Sequence, residues 1–312
     1  MSPRKIIIDT DPGQDDALAL MLALASPDEL EVLGVVAVAG NVGLHHTLNN
    51  ARKVVELTGR MDVPVYAGSD RPLRQALVTA EHVHGVTGLD GPDLPEPSLP
   101  EQVLGGVQFI VDTVRAVDHV TLVTLGPLTD IARAFEQAPD IIGRVSEVVM
   151  MLGAFRELGN VTPTAEFNAY VDPEAADIVF RSGVRIVMLP LDATHQVQST
   201  QVRIQRLRDM GNRAGPTAAI MLKASEAFDI NKFGWDGAPL HDPCTIAWLL
   251  KPELFSCREV NVMVETESAL TRGMTVVDWY KATDRAPNAL VMTKADADGF
   301  YELLFERLAR LP

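Results

Sequence analysis

The stretch Lys5-Ile6-Ile7-Ile8-Asp9-Thr10-Asp11-Pro12-Gly13-Gln14-Asp15-Asp16 decides how the rest of the chain is read. Residues 5–8 show no polar alternation, which suits a strand buried on both faces of a parallel sheet. Pro12 and Gly13 end that strand and turn the chain. Residues 15–24, rich in Ala and Leu, read as a largely buried helix. Four aspartates therefore gather where a strand ends and a helix begins, the place where open α/β sheets bind ligands. Crowded carboxylates repel one another unless a positive charge sits among them. A hard divalent cation with oxygen ligands meets that need. A helix cap with dipole-favoured acids is the simpler alternative, but it needs one or two of the four.

The same grammar continues outward. Apolar strands are expected over 30–39, 63–67, 120–125, 145–152 and 184–191, alternating with helices over 44–57, 107–117, 128–137 and 173–181. Asp172 caps the last of these helices and Pro173 sits in its first turn. A helix over 216–228, an aromatic loop over 231–240 with Phe233 and Trp235, three short strands and a terminal helix complete the chain. Residues 68–100 hold five prolines and four glycines, and carry His82 and His84; a loop of that length in a compact domain is usually functional. The alternation predicts an α/β fold. We expect one domain over 1–312, with a mainly parallel, Rossmann-like central sheet flanked by helices and the active site at the strand carboxyl ends.

Composition narrows the partners. Lys plus Arg is 27 and Asp plus Glu is 42, a net charge of −15. Such a chain repels nucleic acid and anionic membranes. Arg203, Arg206 and Arg208 on one predicted helix read as a solvated face. Cys244 and Cys257 are too few for a disulfide framework or a zinc cluster. No leader-like or membrane-length apolar run stands out, which points to a cytoplasmic protein.

Polar residues recur wherever an apolar strand stops: Asp9 and Asp11, Asn41, the Leu125-Gly126 turn, residues 160–168, and His241-Asp242. The collection is rich in Asp, Asn, Glu and His and poor in Lys and Arg. It suits a cation and a polyhydroxyl ligand rather than phosphates, which favour glycine-rich backbone nests or basic side chains. Taken singly, Asn160 and Asn168 are equally good turn residues, Glu166 a surface acid and His82 an exposed loop residue.

The motif Asp9-Thr10-Asp11-Pro12-Gly13-Gln14-Asp15-Asp16 resembles the signature of the inosine-uridine nucleoside hydrolase family. Ala39-Gly40-Asn41, Gly159-Asn160, Ala165-Glu166-Phe167-Asn168, Asp172-Pro173-Glu174-Ala175-Ala176 and His241-Asp242-Pro243-Cys244 are similar to further family motifs, in family order. The resemblance implies calcium-dependent hydrolysis of the N-glycosidic bond of ribonucleosides. It implies Ca²⁺ on Asp11, Asp16, Asp242 and the Leu125 carbonyl. It places Asp15, Asn160, Glu166 and Asn168 on the ribose hydroxyls, Asn41 near the metal and its water, and His82 beside the base. Asp11 matches the general base and His241 the proton donor to the leaving base. A homodimer or homotetramer is implied as well. Phe228, Phe233 and Trp235 are candidates for stacking on the base, in the region that departs most from the family pattern. Two other functions fit the residues: a Mg²⁺-dependent phosphohydrolase with Asp9 as nucleophile, and a ribonucleoside-binding protein without turnover.

Overall fold

The computed structural model describes residues 2–312, except the side chains of residues 227–229 and 231–233. Strand β1 (Arg4–Thr10) carries the apolar run. Ile6 and Ile8 enter one hydrophobic core and Ile7 the other, as the two-residue period of a strand requires. Burying each of these side chains contributes about 1.5–3 kcal/mol. Seven further strands join it: β2 (Leu30–Ala37), β3 (Val65–Ala67), β4 (Thr121–Thr124), β5 (Glu147–Met151), β6 (Ile186–Leu189), β7 (Phe255–Val260) and β8 (Ala289–Ala295). They form one eight-stranded sheet in the order β3-β2-β1-β4-β5-β6-β8-β7. Every neighbouring pair is parallel except β8 with the edge strand β7.

This order positions the site. The chain builds outward from β1 through β2 to β3, then returns to lay β4 on the other side of β1. The strands therefore part at the carboxyl ends of β1 and β4, a topological switch point. Asp9 lies opposite Thr124 in that pairing, and the Leu125 N–H donates to the Asp9 carbonyl at 2.8 Å. Helices Gln14–Leu24 and Leu44–Leu57 cover the face that holds Ile6 and Ile8. Helices Gly106–Ala116, Thr129–Gln137 and Pro173–Arg181 cover the other. The expected single α/β fold with a mainly parallel sheet is the one observed.

Two local expectations change. The helix expected over 216–228 runs from Ala214 to Phe233. Nothing in 229–233 breaks a helix; Gly234 does, at φ +70°, in the left-handed conformation that ends helices. The first residues of the expected 231–240 loop are therefore helical. Phe228 and Phe233 fall among the side chains outside the described residues. On helix Gln201–Arg208, Arg206 and Arg208 are exposed as expected, whereas Arg203 is half-buried. Arg203 lies over the Tyr301 ring and pairs with Asp298, while Arg206 lies over Phe305 and pairs with Glu302. Both close against the terminal helix Ala297–Leu308. Among the described residues no helix is long and apolar enough to cross a membrane.

Candidate active site

The turn after β1 is folded by its own acids. Asp16 accepts from the Thr10 hydroxyl at 2.6 Å and from the Gly13 N–H at 2.9 Å. Its carboxylate thereby fixes the Pro12-Gly13 bend that starts the helix. Asp11 accepts from the Asn41 backbone N–H at 2.7 Å, and the Asn41 carboxamide returns a bond to the Asp11 carbonyl at 3.0 Å. The other Asp11 oxygen, Oδ1, is buried without a hydrogen-bond partner. Gly40 and Gly126 flank this carboxylate so closely that a Cβ on either would collide with it.

Asp15, Asp16 and Asp242 can each bring a carboxylate oxygen within 4.8 Å of the others. Asp242 opens helix Pro243–Leu250, so it reaches the cluster from a distant part of the chain. Burial pushes Asp11 and Asp242 well above the usual carboxylate range, and Asp16 upward too; mutual repulsion adds to it in all three. The arrangement is thus costly as it stands and fits a divalent cation: an unpartnered buried oxygen on Asp11, a glycine cradle around it, and three converging carboxylates. The geometry draws Asp15 into this carboxylate group, whereas the resemblance placed it on the ribose.

Beside the acids lies the segment expected to meet the sugar. Glu166 caps the short helix Phe167–Val171, accepting from Asn168 N at 2.8 Å and Ala169 N at 3.2 Å. It also accepts from Gly153 N at 2.8 Å, which ties this segment to the end of β5. Burial raises its pKa despite these three donors. Asn168 donates to the Leu125 carbonyl at 2.6 Å and to the Met151 carbonyl at 3.1 Å. Asn160 accepts from Phe167 N at 2.9 Å. Asn160 lies in a bend and Asn168 in the short helix, and both, with Glu166, line the same cleft as Asp15, Asp16, Asn41, Leu125 and Asp242.

Imidazoles occupy the remaining wall. His82 lines the cleft but is an exposed residue, whereas His84 sits deeper. His84 Nδ1 is 2.6 Å from Gln14 Oε1, and the Gln14 amide donates to the His84 and Asp90 carbonyls. Burial lowers the pKa of His84 although Asp15 and Asp16 oppose the shift. His241 is held by the Thr194 hydroxyl, 2.7 Å from Nδ1. Burial, with His195 and His84 nearby, pushes its pKa down to about 3. Trp235 stands 4.7 Å from His195, ring to ring.

The sequence reading passed over three residues here. His195 lines the cleft, and the polar run Asp192-Ala193-Thr194-His195 just beyond β6 was the signal for it, under the strand-end rule applied elsewhere. Gln14 was hidden inside the signature itself. Asp130 lies beneath the cleft with Asp9, both fully buried. Asp130 accepts from Ser69 N at 2.8 Å and its hydroxyl at 2.5 Å. Burial and the neighbouring Asp130 together raise the pKa of Asp9 well above the usual carboxylate range.

A parallel sheet whose switch-point cleft collects carboxylates, carboxamides and imidazoles offers a ligand site, and comparison with known proteins defines the class of the chain. The profile of the family described as "Inosine-uridine preferring nucleoside hydrolase" matches residues 6–302. Among curated proteins, the chain is 52% identical over 310 residues to an uncharacterized protein of Schizosaccharomyces pombe, covering 99% of this chain and all of that one. It is 50% identical over 305 residues to the pyrimidine-specific ribonucleoside hydrolase RihA of Salmonella paratyphi B, covering 97% of each. Among solved structures, the purine-preferring ribonucleoside hydrolase of Gardnerella vaginalis matches with a TM-score of 0.91 at 32% identity, covering 98% of each chain. The protein is an N-ribosyl hydrolase. It belongs to the inosine-uridine preferring nucleoside hydrolase family.

Proposed function

We propose that this ribonucleoside hydrolase splits its substrate into ribose and free base with one Ca²⁺, and that pyrimidine ribonucleosides are its preferred substrates. The observation that carries the metal reading is the convergence of Asp15, Asp16 and Asp242 beside Asp11, with burial disfavouring the charges of Asp11, Asp16 and Asp242. Asp11, Asp16, Asp242 and the Leu125 carbonyl would hold the ion; a carbonyl has two lone pairs, so the bond from Asn168 leaves one for a metal. When bound, the ion orients the ribose 2′- and 3′-hydroxyls and the attacking water. The pyrimidine preference is supported by the 50% identity to RihA, against 32% to the purine-preferring enzyme.

In this reading Asp11 takes the proton from the attacking water. Asp15, Asn160, Glu166 and Asn168 hold the ribose hydroxyls, and Asn41 steadies Asp11. As the C1′–N bond stretches, positive charge grows on the sugar, and these carboxylates and carboxamide oxygens stabilise it. His241 faces the leaving base as a donor, its Nδ1 held by the Thr194 hydroxyl. His82 meets the base at the mouth of the cleft, with Trp235 as a stacking surface. We place the enzyme in the cytoplasm as a homodimer or homotetramer, which light scattering tests.

The phosphohydrolase reading loses its nucleophile, because Asp9 is fully buried beneath the cleft against Asp130. Release of ribose from uridine, cytidine, inosine, adenosine and guanosine tests the function. Uridine and cytidine should give the highest kcat/KM; a purine preference would refute the base assignment.

A further inference from the structure

We propose that His195, backed by the Glu157 carboxylate, is a second proton-donating residue on the leaving-base side of the cleft. This rests on the hydrolase reading above. The short helix Leu191–Thr194 follows the carboxyl end of β6, and its Asp192 and Thr194, with His195 just after it, each tie down part of the cleft's surroundings. Asp192 accepts from the backbone N–H groups of Phe155, Arg156 and Glu157 at 2.9, 2.9 and 3.2 Å. That pins the 155–157 loop. Thr194 holds His241. His195, the next residue, brings Nδ1 to 3.3 Å from Glu157 Oε2 on the pinned loop.

The two imidazoles stand 5.8 Å apart, edge on, yet they are backed by different chemistry. Behind His241 is a neutral hydroxyl. Behind His195 is a carboxylate, the arrangement that stabilises an imidazolium in hydrolytic triads. Burial lowers the pKa of His195, and the nearby acids Glu157 and Asp192, which favour its cation, oppose that shift in part. Of the two, His195 is the one backed by a carboxylate, which supports charge on the ring as a proton passes through it.

His195 and Glu157 also connect the cleft to solvent. Its side chain is 12% exposed and lines the cleft, while the Glu157 side chain is 49% exposed. When the C1′–N bond breaks, its electron pair leaves with the base. The base takes a proton from His195, and a replacement enters from solvent on the Glu157 side. Water supplies the hydroxyl to C1′ and its proton to Asp11, so the reaction balances as substrate plus water giving ribose and neutral base.

The test compares uridine with p-nitrophenyl riboside, whose leaving group departs as a stable anion. His195→Asn should lower kcat on uridine by about 10²-fold, within the range of a positioned acid, while p-nitrophenyl riboside loses at most about threefold. Glu157→Gln, a change at the surface that leaves the fold intact, should lower kcat on uridine by about tenfold with KM little changed, since it removes the backing charge alone. Equal losses on both substrates would make His195 a packing residue and overturn the proposal. So would a His195→Asn enzyme with unchanged kcat on uridine. A wild-type enzyme that cleaves p-nitrophenyl riboside shows that the hydrolase reading stands apart from this outcome; one that cleaves neither substrate overturns both.

Discussion

The cleft has two halves, and they are anchored differently. On the half assigned to metal and ribose, the backbone holds the acids. Asp16 takes the Gly13 N–H, Asp11 takes the Asn41 N–H, and Glu166 takes those of Gly153, Asn168 and Ala169. On the base half, side chains hold side chains: Gln14 with His84, Thr194 with His241, Glu157 with His195. A group bound to the backbone cannot turn without refolding its loop. An imidazole bound to another side chain can shift by a rotamer change. The ribose is common to all nucleosides and the bases are not, so under the proposed assignment rigidity stands where the ligand is constant and adjustable contacts where it varies.

The sharpest way to break this contrast is to remove function from the rigid half. Asp11→Asn should lower kcat/KM on every nucleoside by about 10³-fold or more, since both base and metal ligand are lost. A loss confined to some bases would contradict the division. Next in size is the sugar itself. Deoxyuridine should be a poorer substrate than uridine by about 10²-fold or more in kcat/KM, because a missing 2′-hydroxyl leaves buried polar groups unpaired. Comparable rates on both would show that Asp15, Asn160, Glu166 and Asn168 do not read the sugar.

The adjustable half should respond selectively. His241→Ala should slow uridine by about 10²-fold and affect p-nitrophenyl riboside far less, as measured by kcat on both. Equal losses would mean that it supports the neighbouring Asp242 instead. A subtler effect separates the halves by stability. Asp11, Asp16 and Asp242 have folded-state pKa values raised by burial and repulsion. Without a cation the folded chain retains protons there that the unfolded chain has released. Its stability therefore falls as pH rises from about 4 through the raised values. A bound cation takes the place of those protons. The Tm gap between calcium-loaded and chelator-treated protein should widen between about pH 5 and 8, and a gap that narrows would contradict the electrostatic account.

The rigid half was the legible one, for a physical reason. Its residues sit in short motifs where strand, turn and ligand group are neighbours in sequence, so periodicity and turn chemistry locate them. Asp9 to Asp16 is the clearest example, and helix Leu44–Leu57 was readable to the residue. The base half depends on contacts across the chain. Thr194 and His241 lie 47 residues apart, and His195 and Glu157 lie 38. Nothing local in sequence announces such pairs. The extra turns of helix Ala214–Phe233 were missed because Asn231 and the nearby aromatics suggested a loop, while Gly234 alone supplied the stop. Asp130 was unreadable in the same way: only the sheet brings it beneath Asp9.

The central claim is that the buried carboxylates exist to hold a cation that grips the sugar. Ribose release from uridine, before and after exhaustive calcium removal and on back-titration, tests it most directly. Activity should vanish with the ion and return in proportion to one Ca²⁺ per chain. Full activity in the calcium-free protein would contradict the account.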